Sequence, residues 1–208
     1  MTGPTAEPAR PDARGAIRPG PRWAPTFVVL AVIAVTVLGG FVVAAALPAS
    51  EAAAVQVGSV VRIHPASGWS LVRHERTSIP TSAGSVTAYL ARLTRGSGAL
   101  DVVALPGVDA SVGELALVYR DDVLARQLRR LTVSSELERI TLPSGLLAGR
   151  FAYIGTSPES GAAIEGSVTV VADASSRDGA VFDGWAPEGQ LGLVSNEIEG
   201  MIETADVR

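Results

Sequence analysis

IEGSVTVVAD, residues 164–173, alternates between apolar and polar side chains. In an extended chain the two kinds of residue fall on opposite faces: Ile164, Val168 and Val170 on one, and Glu165, Ser167 and Thr169 on the other. This period of two is typical of a strand with one buried face and one wet or edge-exposed face. We therefore predict that an antiparallel sheet forms the centre of the fold.

Further strands are predicted on both sides of this segment, where branched and apolar residues recur between turn-forming residues. They span residues 59–64, 70–76, 85–93, 99–105, 137–142, 146–154 and 180–183. The short loops at 94–98 and 143–145 favour hairpins, and Asp178-Gly179 is a hairpin turn signal. Strands that follow one another through such short loops pair in antiparallel fashion.

Two helices are predicted. Residues 111–131 begin with Ser111 and Glu114 in the spacing of a capping box, and Asp122 and Arg126 stand four residues apart on the solvent side. The apolar face of this helix is read as Leu117, Leu124, Leu128 and Leu131. A second helix covers residues 188–204, with Leu191, Val194, Ile198, Met201 and Ile202 pointing inward. The predicted class is α+β, an antiparallel sheet covered by two helices.

Two further patterns point to a known family. Residues 63–69 read Ile-His-Pro-Ala-Ser-Gly-Trp, and the chain ends with a strand (Val181-Phe182-Asp183), a helix and an extended piece at Ala205-Asp206-Val207. Both resemble the PsbP-like (Mog/PsbP, including LpqN-type) α/β/α sandwiches over most of residues 58–208. The resemblance implies a non-enzymatic fold used in partner binding and assembly in the envelope or thylakoid lumen. It carries over no catalytic residue.

Composition excludes several classes of function. The 208 residues contain no cysteine, which excludes disulfides, thiolate catalysis, cysteine zinc sites and a lipid-anchored N-terminal cysteine. All 17 basic residues are arginine. From residue 48 onward the chain has about 13 arginines and about 19 acidic residues, so this part is acidic. An acidic domain is a poor binder of phosphate backbones, so we do not expect a nucleic-acid partner.

Residues 27–47 contain no charge, and Thr36 is their only polar side chain. As a helix they would extend about 31 Å, close to the thickness of a bilayer core, with Trp23 near the interface. Four arginines precede the segment (Arg10, Arg14, Arg18 and Arg22), which places the N-terminus in the cytoplasm and the C-terminal domain outside it. A cleavable signal peptide, cut near Ala44–Ala46 or Ala52–Ala54, is the alternative.

The predicted organisation is therefore a disordered cytoplasmic tail (1–26), a transmembrane helix (27–47), a linker (48–57) and an extracytoplasmic α+β domain (58–208). The expected location is the cell membrane, crossed once.

The candidates for chemistry are few. His64 and His74 flank the predicted turn at 65–69 and could share a metal, but two more ligands are missing, so surface histidines are the preferred interpretation. The sequence contains no G-x-S-x-G motif, so it gives no indication of a serine hydrolase. Residues 173–179 resemble a calcium loop that lacks a third ligand and a closing glutamate, so a hairpin loop is preferred. We predict no catalytic residue, no metal site and no cofactor.

Two groups of residues could instead contact partners. Arg120, Arg126, Arg129 and Arg130 could face anionic lipid, although the last pair also suits the C-terminal dipole of the predicted helix. Trp69 and Trp185 could anchor a partner, although tryptophans beside turn glycines more commonly plug the end of a core.

The sequence thus predicts a membrane-anchored, non-catalytic interaction or assembly module of the cell envelope, which binds another envelope protein or a lipid-linked component. The alternatives are a small envelope hydrolase whose site is assembled from residues distant in sequence, and an accessory subunit of a membrane complex.

Overall fold

The computed structural model of the chain describes residues 53–81, 84–173 and 175–208. The predicted tail (1–26), the predicted transmembrane helix (27–47) and the first half of the predicted linker (48–52) lie outside these ranges. Within them, none of the helices has the length and apolar character needed to span a bilayer.

The folded domain begins earlier than predicted, because part of the predicted linker is a strand. β1 (Val55–Val57) buries its two valines and exposes Gln56, an alternation that residues 48–57 were not expected to show. It pairs in antiparallel fashion with β2 (Val61–Ile63), whose other edge receives β11 (Asp206–Val207) near the end of the chain. These three strands form a small sheet of their own.

A large sheet forms the centre of the described domain. Its strands are β3 (Ser70–Thr81), β4 (Gly84–Arg95), β5 (Gly98–Leu105), β6 (Arg129–Val133), β7 (Glu138–Thr141), β8 (Leu147–Thr156), β9 (Ala163–Asp173) and β10 (Asp178–Pro187). They lie in the order β3-β4-β5-β10-β9-β8-β6, with β7 also paired to β8, and every pairing is antiparallel. The predicted antiparallel sheet is therefore confirmed.

The first helical segment starts as predicted but ends earlier than predicted. Ser111 and Glu114 form the capping box at the start of α1 (Val112–Val118), and Arg126 pairs with Asp122 at 2.9 Å. A π-helical segment (Tyr119–Leu124) and one turn, α2 (Ala125–Gln127), follow. Leu128 is extended, and β6 begins where the predicted helix was to continue.

The predicted apolar face of this helix was also partly wrong. Leu117 is 50% exposed, whereas Leu115 and Tyr119 are buried. Leu117 and Leu124 lie seven residues apart, which is about two turns of an α-helix, but the wider turns of the π-helical segment between them place the two side chains on different faces.

The second helical region comprises a 3-10 turn (Leu191–Leu193) and α3 (Ser195–Glu203). With the small sheet it covers one face of the large sheet, while α1 and the π-helical segment cover the other. Thr169 is only 1% exposed and lines a small pocket against Ile198 and Ile202 of α3. The expectation that the polar face of residues 164–173 is wet is therefore wrong at its centre, because α3 lies over it.

Candidate functional site: a buried carboxylate cluster beside an apolar cavity

Three charged residues stand in register across the middle of the large sheet. Arg92 on β4 is opposite Asp101 on β5, and Asp101 is opposite Asp183 on β10. All three lie on the face covered by α1 and the π-helical segment, with Asp101 7% exposed and Asp183 3% exposed. Buried charges are costly unless they are paired, so their partners determine what the cluster can do.

Arg92 and Asp101 form a two-pronged ion pair. The guanidinium donates from Nε to Oδ1 at 2.6 Å and from Nη2 to Oδ2 at 2.7 Å. The indole Nε1 of Trp185 donates to the same Oδ2 at 3.2 Å, and the Arg92 guanidinium lies 5.5 Å from the centre of the Trp185 ring. Burial alone would lower the pKa of Arg92, but the hydrogen bond and the charge of Asp101 raise it, so the guanidinium stays charged.

Asp183 accepts its hydrogen bonds from two phenols. Tyr119 donates to Oδ2 at 2.8 Å and Tyr153 donates to Oδ1 at 2.9 Å. Burial, followed by repulsion from Asp101, raises the pKa of Asp183 to about 7, although the phenols and Arg92 act in the opposite direction. Burial and the nearby Asp183 charge also raise the pKa of both phenols, which therefore remain protonated donors.

Two different elements bring the phenols to the two oxygens of Asp183. Tyr119 is the first residue of the π-helical segment, a kind of helix distortion that is frequent at functional sites. Tyr153 comes from β8 and lies over Gly166, where a Cβ atom would stand 2.4–2.5 Å from the phenol ring and hydroxyl. The missing side chain at position 166 therefore makes the room that Tyr153 needs.

The hydrogen bond between Tyr119 and Asp183 fastens the π-helical segment to the large sheet. Each oxygen of Asp101 and of Asp183 accepts at least one hydrogen bond from a neighbouring side chain. A general acid or base must reach a substrate proton directly or through one water molecule. These carboxylates are buried and hydrogen-bonded to neighbouring side chains. The chemistry that the arrangement favours is therefore the protonation of Asp183 itself, which burial promotes.

An apolar cavity of about 130 Å³ adjoins the cluster. It is lined by Ile79, Val86, Leu105, Val108, Ala110, Glu114, Leu115, Val118, Tyr119 and Val123. Tyr119 thus belongs to both features, with its ring in the cavity wall and its hydroxyl on Asp183.

The structure does not bring the candidate metal residues into a site. His64 and His74 are exposed, and in the described ranges no three His, Cys, Asp or Glu side chains are placed to hold a metal ion. The carboxylate of Asp173 accepts hydrogen bonds from Ser175 and Ser176. The prediction of a turn at Asp178-Gly179 is wrong, because residues 175–177 form the turn and both residues belong to β10.

Trp69 is 3% exposed, and its indole Nε1 donates to Glu197 Oε2 at 2.7 Å. This confirms that it plugs the core. Trp185 is half-buried, packs against the core on the α1 side of the large sheet and also donates a hydrogen bond to Asp101.

The candidate lipid-facing arginines separate into two groups. Arg120 pairs with Asp121, and Arg126 pairs with Asp122. Arg129 and Arg130 lie in β6, so the interpretation that they complement the dipole at a helix C-terminus is wrong.

Sequence reasoning missed the whole carboxylate cluster. A signal was present, since Asp101 and Asp183 occupy inward positions in strands that are otherwise apolar: Leu-Asp-Val-Val and Val-Phe-Asp-Gly. A charge at such a position requires a buried partner. The identity of the partners could not be read, because Tyr119 and Tyr153 reach Asp183 from 64 and 30 residues away in sequence.

Comparisons with known proteins give a fold. No family model and no curated protein sequence matches the chain. The solution structure of cyanobacterial PsbP (CyanoP) from Synechocystis sp. PCC 6803 is similar, with a TM-score of 0.50 and 10% sequence identity over 74% of this chain and 91% of that one. The described domain therefore has a PsbP-like α+β fold.

Proposed function

We propose that the chain is a membrane-tethered, non-catalytic interaction module whose folded domain lies outside the cytoplasmic membrane and binds another envelope protein or a lipid-linked component. The uncharged segment 27–47 and the four arginines before it support the tether and its direction. The PsbP-like fold is consistent with an accessory role, although a fold by itself does not fix a function.

The observation that carries the non-catalytic part of the proposal is the state of the buried carboxylates. Paired acids on adjacent strands are the arrangement in the described residues most similar to an acid–base pair. Their oxygens are satisfied internally and are shielded from solvent, whereas the cavity beside them is apolar. Carboxylates that are enclosed and bonded to their neighbours do not reach a substrate proton in this state, and the apolar cavity beside them suits binding.

Photo-crosslinking in living cells tests the proposal. A photoreactive residue is placed at Leu117 on the helical face or at Leu193 on the opposite side, both highly exposed, with exposed Glu159 in the β8–β9 loop as the control. We expect a defined envelope protein or lipid adduct at one face and a weaker or absent adduct at the control. The proposal fails if no position gives an adduct and the purified chain turns over p-nitrophenyl esters or phosphates.

A further inference from the structure

The cavity has the properties of a small binding site. Its walls come from α1, the π-helical segment, the loop after β5 and the ends of β3 to β5. Val108, Ala110, Val118 and Val123 are only half-buried, so the cavity can be reached from the surface. Nearly every lining side chain is apolar, and such cavities bind hydrocarbon more readily than water.

We propose that this cavity binds the end of an alkyl chain that carries a neutral or cationic head group. The inference rests on the proposed function, in which a lipid-linked component is one kind of partner, and it specifies the chemistry of that partner.

The size of the cavity limits what it can hold. A volume of about 130 Å³ is close to that of engineered apolar cavities, about 150 Å³, that take up one benzene molecule. The cavity therefore holds a ring-sized group or roughly four to six carbons of a chain. A longer chain would leave its remainder and its head group at the mouth.

The charge at the mouth discriminates between head groups. Glu114 lines the cavity, and its Oε2 accepts hydrogen bonds from the Ser111 backbone N at 2.8 Å and from Ser111 Oγ at 2.7 Å. These bonds, that from the side chain first, lower the pKa of Glu114, so its carboxylate stays charged. The other titratable lining residue, Tyr119, is neutral and donates to Asp183. The mouth is therefore negative and disfavours an anionic head group.

Methyl NMR of the full chain in zwitterionic nanodiscs tests this inference, with 1-hexanol, hexylamine and hexanoate as probes. We expect saturable shifts of the methyl groups of Leu115, Val118 and Val123. Hexanoate should bind about two- to fivefold more weakly than hexylamine, as expected for one exposed charge. Glu114→Gln should remove this difference while it keeps the capping box, in which glutamine is also accepted.

Two filling variants and one control locate the binding. Ala110→Phe and Val108→Phe, on separate lining positions, should abolish the shifts, and the methyl spectrum itself reports whether each variant is folded. Leu117→Phe, on an exposed position of the same helix that does not line the cavity, should leave the shifts unchanged.

The inference is overturned if the probes shift no cavity methyl group, or if folded filling variants bind as the parent chain does. Equal affinities for hexylamine and hexanoate would overturn the head-group preference. Failure here would leave a protein partner in cells possible, whereas failure of the crosslinking would leave binding in the cavity standing, so the two failures are distinguishable.

Discussion

Asp101 and Asp183 lie directly opposite each other on the neighbouring antiparallel strands β5 and β10. Two buried carboxylates in this relation repel each other when both are ionised, and the paired cation, Arg92, is bonded to Asp101. The cluster is therefore neutral when Asp183 keeps its proton. This single relationship gives the domain a dependence on pH that can be measured.

The stability of the folded domain should decrease as Asp183 loses its proton. Its pKa rises from an ordinary value of 3.8 to about 7 on folding, so the folded state holds the proton more tightly than the unfolded state. The resulting stabilisation is complete below pH 3.8 and is lost as the pH rises to about 7, at up to about 1.4 kcal/mol per pH unit.

Asp183→Asn, which is neutral at every pH, should lack this slope. The measurement is the difference in unfolding free energy between parent and variant from pH 4 to pH 8, because other carboxylates contribute equally to both. A difference that does not vary with pH would show that Asp183 does not titrate in this window.

Removing either phenol should weaken the domain and move the titration of Asp183 upward. Tyr119→Phe deletes the donor to Oδ2, and Tyr153→Phe deletes the donor to Oδ1. Each leaves a carboxylate oxygen buried with one donor fewer, at a cost of about 1–3 kcal/mol. Because these hydrogen bonds lower the pKa of Asp183, their loss should raise it. A carboxyl ¹³C titration of Asp183 would contradict the account if the pKa fell in both variants.

The sequence predicts the sheet well because strand patterns are local. The spacing of Ile164 and Val168 predicts which face of their strand is buried. Ser111 and Glu114 specify the start of a helix within four residues. The end of that helix depends on tertiary contacts. Tyr119 is drawn toward Asp183, and residues after Leu128 pair with β8, so spacing within 111–131 could not reveal either event.

The residues of the candidate site are even farther apart in the sequence. Trp69 was recognisable as a core residue from its turn, but the cluster requires residues from β4, β5, β8, β10 and the π-helical segment to meet. No single window contains the charge and its partners. The sequence showed only that Asp101 and Asp183 occupy inward positions in apolar strands, which indicates that they need buried partners but does not identify them.

Gly166→Ala should destabilise the domain by about 1–3 kcal/mol, the usual cost of overpacking. The added methyl group would stand 2.4–2.5 Å from the Tyr153 phenol and push it away from Asp183. Gly200→Ala is the matched control, because its Cβ in α3 meets open space and alanine is the better helix former by about 0.5–1 kcal/mol. Denaturant midpoints that shift equally in the two variants would contradict this reading of Gly166.

Trp69→Phe should cost about 1–2 kcal/mol, because it keeps a buried ring while it removes the indole donor to Glu197. Glu197→Gln keeps an acceptor for the indole and should have the smaller effect. Urea unfolding of both variants measures the difference. A larger loss in Glu197→Gln would show that the exposed ion pair with Arg95, and not the indole hydrogen bond, holds α3 at this end.

The central claim, a domain tethered outside the membrane by an uncleaved helix, is tested most directly by cysteine labelling, because the chain has no cysteine of its own. Thr5→Cys and Leu193→Cys, the latter at a side chain that is 78% exposed, are treated with a membrane-impermeant maleimide in intact spheroplasts or protoplasts. We expect Leu193→Cys to react at once and Thr5→Cys to react only after lysis. Labelling in the reverse order, or a mature chain that has lost residue 5, would contradict the account.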